Sequence, residues 1–145
     1  MTTTTRSDAV AVATLLRPVL LRLSRELRRE SQAFGVTPGQ ATLLAQIEKL
    51  GSVGLGELAG GEGVSPAAMS KHVDRLEAAG LVSRSAGDDR RRVAIELTAA
   101  GRRTLKRVRS HRTAWLAQRL ERLDDDDLAA IERAVGPLAA LLEEG

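Results

Sequence analysis

The sequence predicts a mainly α-helical chain carrying one small β-hairpin, an α+β fold of modest size. Three observations carry this. Apolar residues recur at three- and four-residue steps near both ends of the 145-residue chain. Two cap-plus-proline pairs, Thr37-Pro38 and Ser65-Pro66, open helices in its middle. Two short strand-like runs, 81–85 and 93–97, flank a charged turn.

The elements follow in order. Residues 8–34 read as one long helix, capped by Ser7 or Asp8, with Val12, Leu16, Val19, Leu20, Leu23 and Leu27 on one stripe. Pro18 is expected to kink it, or to break it near Arg17, and Gly35 to stop it. The helix opened by Thr37-Pro38 has Leu43, Leu44, Ile47 and Leu50 on its apolar face and ends at Gly51. A short helix is expected at about 54–60 within the glycine-rich stretch that follows. Ser65-Pro66 opens a helix whose inner stripe is Ala68, Met69, Val73 and Leu76, with Gly80 as its stop. In the second strand Val93, Ile95 and Leu97 alternate with Ala94 and Glu96. Thr98 caps a helix running to about Leu123. Asp124 caps the last helix, and the three acids after it suit the positive end of the helix dipole. Gly136-Pro137 is expected to bend that helix.

Composition narrows the function. Cysteine is absent, which excludes disulfides, thiolate catalysis and thiol redox sensing. No apolar run is long enough to span a bilayer, and the N-terminus lacks the pattern of a signal peptide, so a cytoplasmic, bacterial-type protein is expected. No phosphate loop, paired-acid cleft or Ser/His/Asp set supports an enzyme, and neither a cofactor nor a metal site is expected. Net charge is +3, but unevenly spread: residues 66–112 hold 12 Lys/Arg against 5 Asp/Glu, a balance of +7, leaving −4 elsewhere. A basic centre between acidic flanks suits a polyanion; a merely solvated arginine-rich surface has the same composition.

Short helices followed by a two-stranded hairpin make a winged helix-turn-helix. In that arrangement the second helix of the motif, here 65–79, presents its N-terminal outer face to the major groove of double-stranded DNA. That face carries Ser65, Ala67, Ser70, Lys71, Asp74 and Arg75, with Ala68 small enough for close approach. Ser70, Lys71 and Arg75 offer donors to base edges or phosphates, and His72 beside them suits a phosphate or the solvent better than a metal. Arg84, in the first strand, joins the DNA-facing set. At the hairpin tip Arg90, Arg91 and Arg92 follow Asp88 and Asp89, a placement that suits the electronegative minor groove.

The stretches "TPGQATLLAQIE", "ELAGGEGVSPAAMSKHVDRLEAAGLVSR" and "DRRRVAIELTAAGR", with the long flanking helices, resemble the multiple-antibiotic-resistance regulator (MarR) family of bacterial transcription factors over nearly the whole chain. The resemblance implies that Arg91 enters the minor groove and Asp89 braces it, with Arg90 and Arg92 as phosphate or further groove contacts. Ala86 departs from it, standing where many members carry an acid. It also implies a homodimer. Residues 1–35 would be an N-terminal dimerisation helix, 36–100 the DNA-binding domain and 101–145 the C-terminal dimerisation helices. The stripes Leu16 and Leu20, then Leu120, Leu123, Leu128, Ile131, Val135, Leu138 and Leu142, are the expected dimer contacts, although burial within one subunit would use the same residues. A small aromatic or phenolic effector is implied between the lobes, with Phe34, His111 and Trp115 as candidate lining residues. Each of the three also suits ordinary helix packing.

The expected function is a dimeric, sequence-specific transcriptional regulator, a repressor on a pseudo-palindromic operator. An architectural DNA binder with little sequence preference and a protein-binding winged helix remain as alternatives.

Overall fold

The computed structural model describes residues 8–86 and 93–143. It contains α1 (Ala9–Arg29), a 3₁₀ turn (Glu30–Phe34), α2 (Pro38–Leu50), β1 (Val53–Gly54), α3 (Leu55–Glu62), α4 (Pro66–Ala78), β2 (Val82–Ala86), β3 (Val93–Leu97), α5 (Ala99–Leu120) and α6 (Asp125–Ala140). The sheet is antiparallel in the order β1-β3-β2, with Val53 opposite Ile95 and Arg84 opposite Ile95 on its other edge.

Local chemistry explains the helix starts. Thr37 and Gln40 form a capping box at α2, with the Thr37 hydroxyl accepting from the Gln40 N–H and the Gln40 side chain accepting from the Thr37 N–H. Ser65, Thr98 and Asp124 cap α4, α5 and α6 through their side-chain oxygens. Gly80 ends α4 at φ 76°, a left-handed turn that glycine adopts without strain.

The core lies where α2, α3, α4, the sheet and the first half of α5 converge. Leu44, Ile47, Leu58, Met69, Val73, Leu76, Val53, Ile95 and Val108 are its fully buried members. Where β3 meets α5, the Thr98 hydroxyl donates to the Gly80 carbonyl at 2.6 Å and accepts from the Gly101 N–H at 3.0 Å. The Leu81 carbonyl accepts from the Thr98 N–H and presses so closely on Gly101 that a β-carbon there would overlap it. This one corner therefore calls for a β-hydroxyl side chain at 98 and a glycine at 101.

The structure departs from the sequence reading in several places. The break allowed near Arg17 does not occur: α1 runs through Pro18 to Arg29, and α6 likewise runs through Pro137. Both helices are solvent-exposed at these points, so water can satisfy the carbonyl each proline leaves unpaired. The expected helix over 8–34 instead tightens into the 3₁₀ turn after Arg29. Its last α carbonyls are already engaged: Ser31, fully buried, donates to Arg28 O, and Arg112 Nε donates to Leu27 O. The two-residue β1 has no counterpart in the sequence reading, and α5 stops at Leu120 rather than Leu123.

No residue of α1 or α6 is buried. Val10, Leu15, Val19 and Leu20 on α1 are exposed, as are Leu128, Ile131 and Val135 on α6, with Leu123 just before it and Leu142 just after. Leu16, Leu120 and Leu138 are only half-buried. The apolar stripes at the two ends are thus not consumed by the chain's own core. Among the described residues no helix is long and apolar enough to cross a membrane.

Candidate nucleic-acid interface

α4 turns Met69, Val73 and Leu76 into the core, which leaves its opposite face outward. Ala67, Lys71, His72 and Arg75 are exposed there, and Ala68 and Ser70 are half-buried at its edge. Ser65 spends one lone pair on the helix cap, accepting from the Ala68 N–H at 3.2 Å, and keeps its own O–H free to donate. A small, polar first turn followed by three basic side chains can approach a groove closely and reach both base edges and phosphates.

Arg84 behaves differently from the other expected contacts. Its Nη2 lies 2.8 Å from Asp74 Oδ1 and donates to the Ser70 carbonyl at 3.3 Å. It therefore ties β2 to α4. Asp74, the partner, lies outside the set of residues expected to function; nothing in the spacing of residues 74 and 84 marks a pair. His72 faces a cavity of about 300 Å³ together with Arg75, Glu62 and the start of α2. Asp89, Arg90, Arg91 and Arg92 lie outside the described residues.

The candidate effector residues separate into two places. Phe34 and His111 meet edge to face, with ring centroids 5.3 Å apart. They line an open cleft of about 630 Å³ with Arg103, Lys106, Arg107 and Ser110. His111 Nε2 is also hydrogen-bonded to Glu30 Oε2 at 2.6 Å, tying α5 to the 3₁₀ turn. Trp115 does not share this cleft. It lies under the Arg119 guanidinium, 3.6 Å from the ring centroid, and faces Val19 and Leu23 of α1. Four residues separate His111 from Trp115, one helical turn, which carries the indole onto a different neighbour. In the sequence, the three basic side chains of the first cleft are visible only as part of the charged centre.

Comparison with known proteins agrees with this geometry. The MarR family profile matches residues 36–93, the segment from the start of α2 to the start of β3. An HTH-type transcriptional regulator of Mycobacterium bovis is 31% identical over 139 residues, covering 95% of this chain and 96% of that protein. The HTH-type transcriptional repressor MdtR of Bacillus subtilis is 30% identical, covering 88% of this chain and 83% of its own. A MarR family protein from Bacillus stearothermophilus has the same fold, with a TM-score of 0.77 and 27% identity over 96% of this chain and 100% of that one. With this recognition helix, this winged sheet and relatives matched nearly end to end, the chain belongs to the MarR family of DNA-binding transcriptional regulators.

Proposed function

We propose that the chain is a homodimeric repressor that reads a pseudo-palindromic operator with α4 and the wing, and that a small molecule releases it. The outward face of α4, held to the wing root through Asp74 and Arg84, is the observation that carries this reading. One winged helix covers one half-site; two half-sites about one helical turn apart call for a two-fold dimer. The exposed apolar residues of α1 and α6 supply the surface. Residues 1–35 and 101–145 would thus flank the DNA-binding unit at 36–100 as dimerisation segments. MdtR, among the relatives, is itself named a repressor.

In this reading Ser65, Ala67, Ala68, Ser70, Lys71, His72 and Arg75 meet the major groove and its phosphates. Arg91 enters the minor groove, Asp89 braces it, and Arg90 and Arg92 contact phosphates or add further groove contacts. The effector, a small aromatic or phenolic molecule, would enter the cleft at Phe34 and His111 and shift the spacing of the two recognition helices, a differential-affinity effect.

The test is fluorescence anisotropy on duplexes from the DNA flanking the gene, against scrambled duplexes. A clear preference for the flanking DNA is expected. Arg91→Ala should abolish tight binding while size-exclusion still shows a dimer. Equal affinity for all sequences, with a steep salt dependence, would instead establish a non-specific architectural binder.

A further inference from the structure

We propose that a row of arginines on α1, Arg25, Arg28 and Arg29, holds the phosphate backbone of duplex DNA where it runs outward past the recognition helix, lengthening the footprint of each half-site. This rests on the DNA-binding reading above and adds a surface to it.

Arg25, Arg28 and Arg29 line a cleft of about 400 Å³ with Leu21, Ser24 and Pro38. Positions 21, 24, 25 and 28 fall at three- and four-residue steps, so the row shares one face of α1. All three arginines are exposed, and among the described residues no carboxylate lines the cleft. Glu26 reaches Arg29 at 3.5 Å, but both side chains are solvated and the pair is weak. Among the described residues neither Arg25 nor Arg28 has an ion-pair partner. The charge is under-neutralised behind the row as well. Arg112 Nη2 is buried with no acceptor among the described residues, and Arg28 presses on that guanidinium as a like charge.

Position decides what the row meets. Pro38, the first residue of α2, closes the cleft. Thr37, Gly39 and Gln40 from the same turn line the cavity beside His72 and Arg75. A single helical turn therefore separates the basic face of α4 from the arginines of α1. A phosphate strand leaving His72 and Arg75 crosses the start of α2 and arrives at α1. Three separate planar forks on an open surface suit successive phosphates, which arginine binds in a directed, two-pronged way. Among the described residues that line it, the cleft has no buried polar floor of the kind that encloses one small anion.

The experiment measures anisotropy of the full chain on duplexes of roughly 20 and roughly 40 base pairs, about two and four turns, cut from the DNA flanking the gene and centred on its inverted repeat, across a salt series. The shorter duplex spans two half-sites and the longer adds flanks. For the double variant Arg25→Ala/Arg28→Ala, binding to the short duplex should match the unsubstituted chain. On the long duplex its slope of log affinity against log salt should fall by about 0.9 for each phosphate that is no longer neutralised. Arg25→Lys/Arg28→Lys should restore most of that slope. Lys71→Ala, on α4, should flatten the slope on both duplexes. If the arginine variant equals the unsubstituted chain on both lengths while Lys71→Ala flattens both, the extended track is wrong and the underlying reading survives. An equal loss on both lengths also overturns the track, since the arginines then act inside the core site or on assembly. If the unsubstituted chain binds neither duplex, the underlying reading itself is wrong.

Discussion

Asp74 Oδ1 and Arg84 Nη2 stand 2.8 Å apart, joining the outer face of α4 to the first strand of the wing. The pair is partly solvated, with the two side chains 59% and 29% exposed, so its worth to folding is small, about 1 kcal/mol at most. In the proposed DNA-binding reading its value is geometric: the angle between helix and wing would decide whether both reach their grooves together. Asp74→Ala and Arg84→Ala should each weaken operator binding by a similar factor, about 3- to 10-fold, or roughly 0.6–1.4 kcal/mol. The double variant should be little worse than either single one. A hundredfold loss for Arg84→Ala beside no loss for Asp74→Ala would mean that Arg84 binds DNA directly.

Of the described glycines, Gly101 is the one least tolerant of a side chain. A methyl group there meets the backbone carbonyl of Leu81, which is itself held by the Thr98 N–H and cannot swing away. Gly101→Ala should destabilise the fold by about 3 kcal/mol, at the upper end of overpacking costs. Thr98→Val removes the bond to the Gly80 carbonyl and the α5 cap together, for about 1–2 kcal/mol. Urea unfolding followed by circular dichroism measures both. A Gly101→Ala protein as stable as the unsubstituted chain would show that the corner can open.

These two sites show what is legible in a sequence. Thr37, Ser65, Thr98 and Asp124 are readable as caps because a cap acts within three residues of itself. The apolar steps of α2 and α4 are readable because a buried stripe follows the helical period. The pairing of residues 74 and 84 is not readable, nor that of Glu30 with His111 of α5, because each bond joins elements whose relative placement only the packed core fixes. The strand at Val53–Gly54 is too short to show a period. Trp115 and His111 look like one site because they share a helix, yet one turn sends them to different clefts.

The terminal stripes offer a separate test. Leu128, Ile131 and Val135 are 39%, 44% and 61% exposed in the single chain, so changing them should not disturb its core. Leu128→Glu with Ile131→Glu should leave helical content intact and convert a dimer to a monomer on size-exclusion. Each buried leucine or isoleucine contributes about 1.5–3 kcal/mol, so the dimer should weaken by at least two orders of magnitude. Operator affinity should fall in parallel. An unchanged elution volume would place the dimer contacts elsewhere.

Arg28 should carry a measurable cost in stability. Burial, and after it the nearby Arg28 charge, holds the Arg112 guanidinium below the ordinary arginine range. A base whose pKa is lower in the folded chain binds its proton less tightly there than in the unfolded one. That penalty is present throughout the pH range below the folded value and is relieved only as pH rises through it towards the unfolded value. Across neutral pH it is therefore constant, and removing its lesser cause should raise stability without altering the pH profile. Arg112 is only half-buried, so screening reduces the gain to about 0.5 kcal/mol or less. Arg28→Ala should show that gain by urea unfolding at low salt and at fixed protein concentration. It should vanish in about 1 M salt, where charges more than roughly 3 Å apart are screened. A loss of stability at both salt concentrations would mean that the aliphatic stem of Arg28, not its charge, dominates at the junction of α1 and α5.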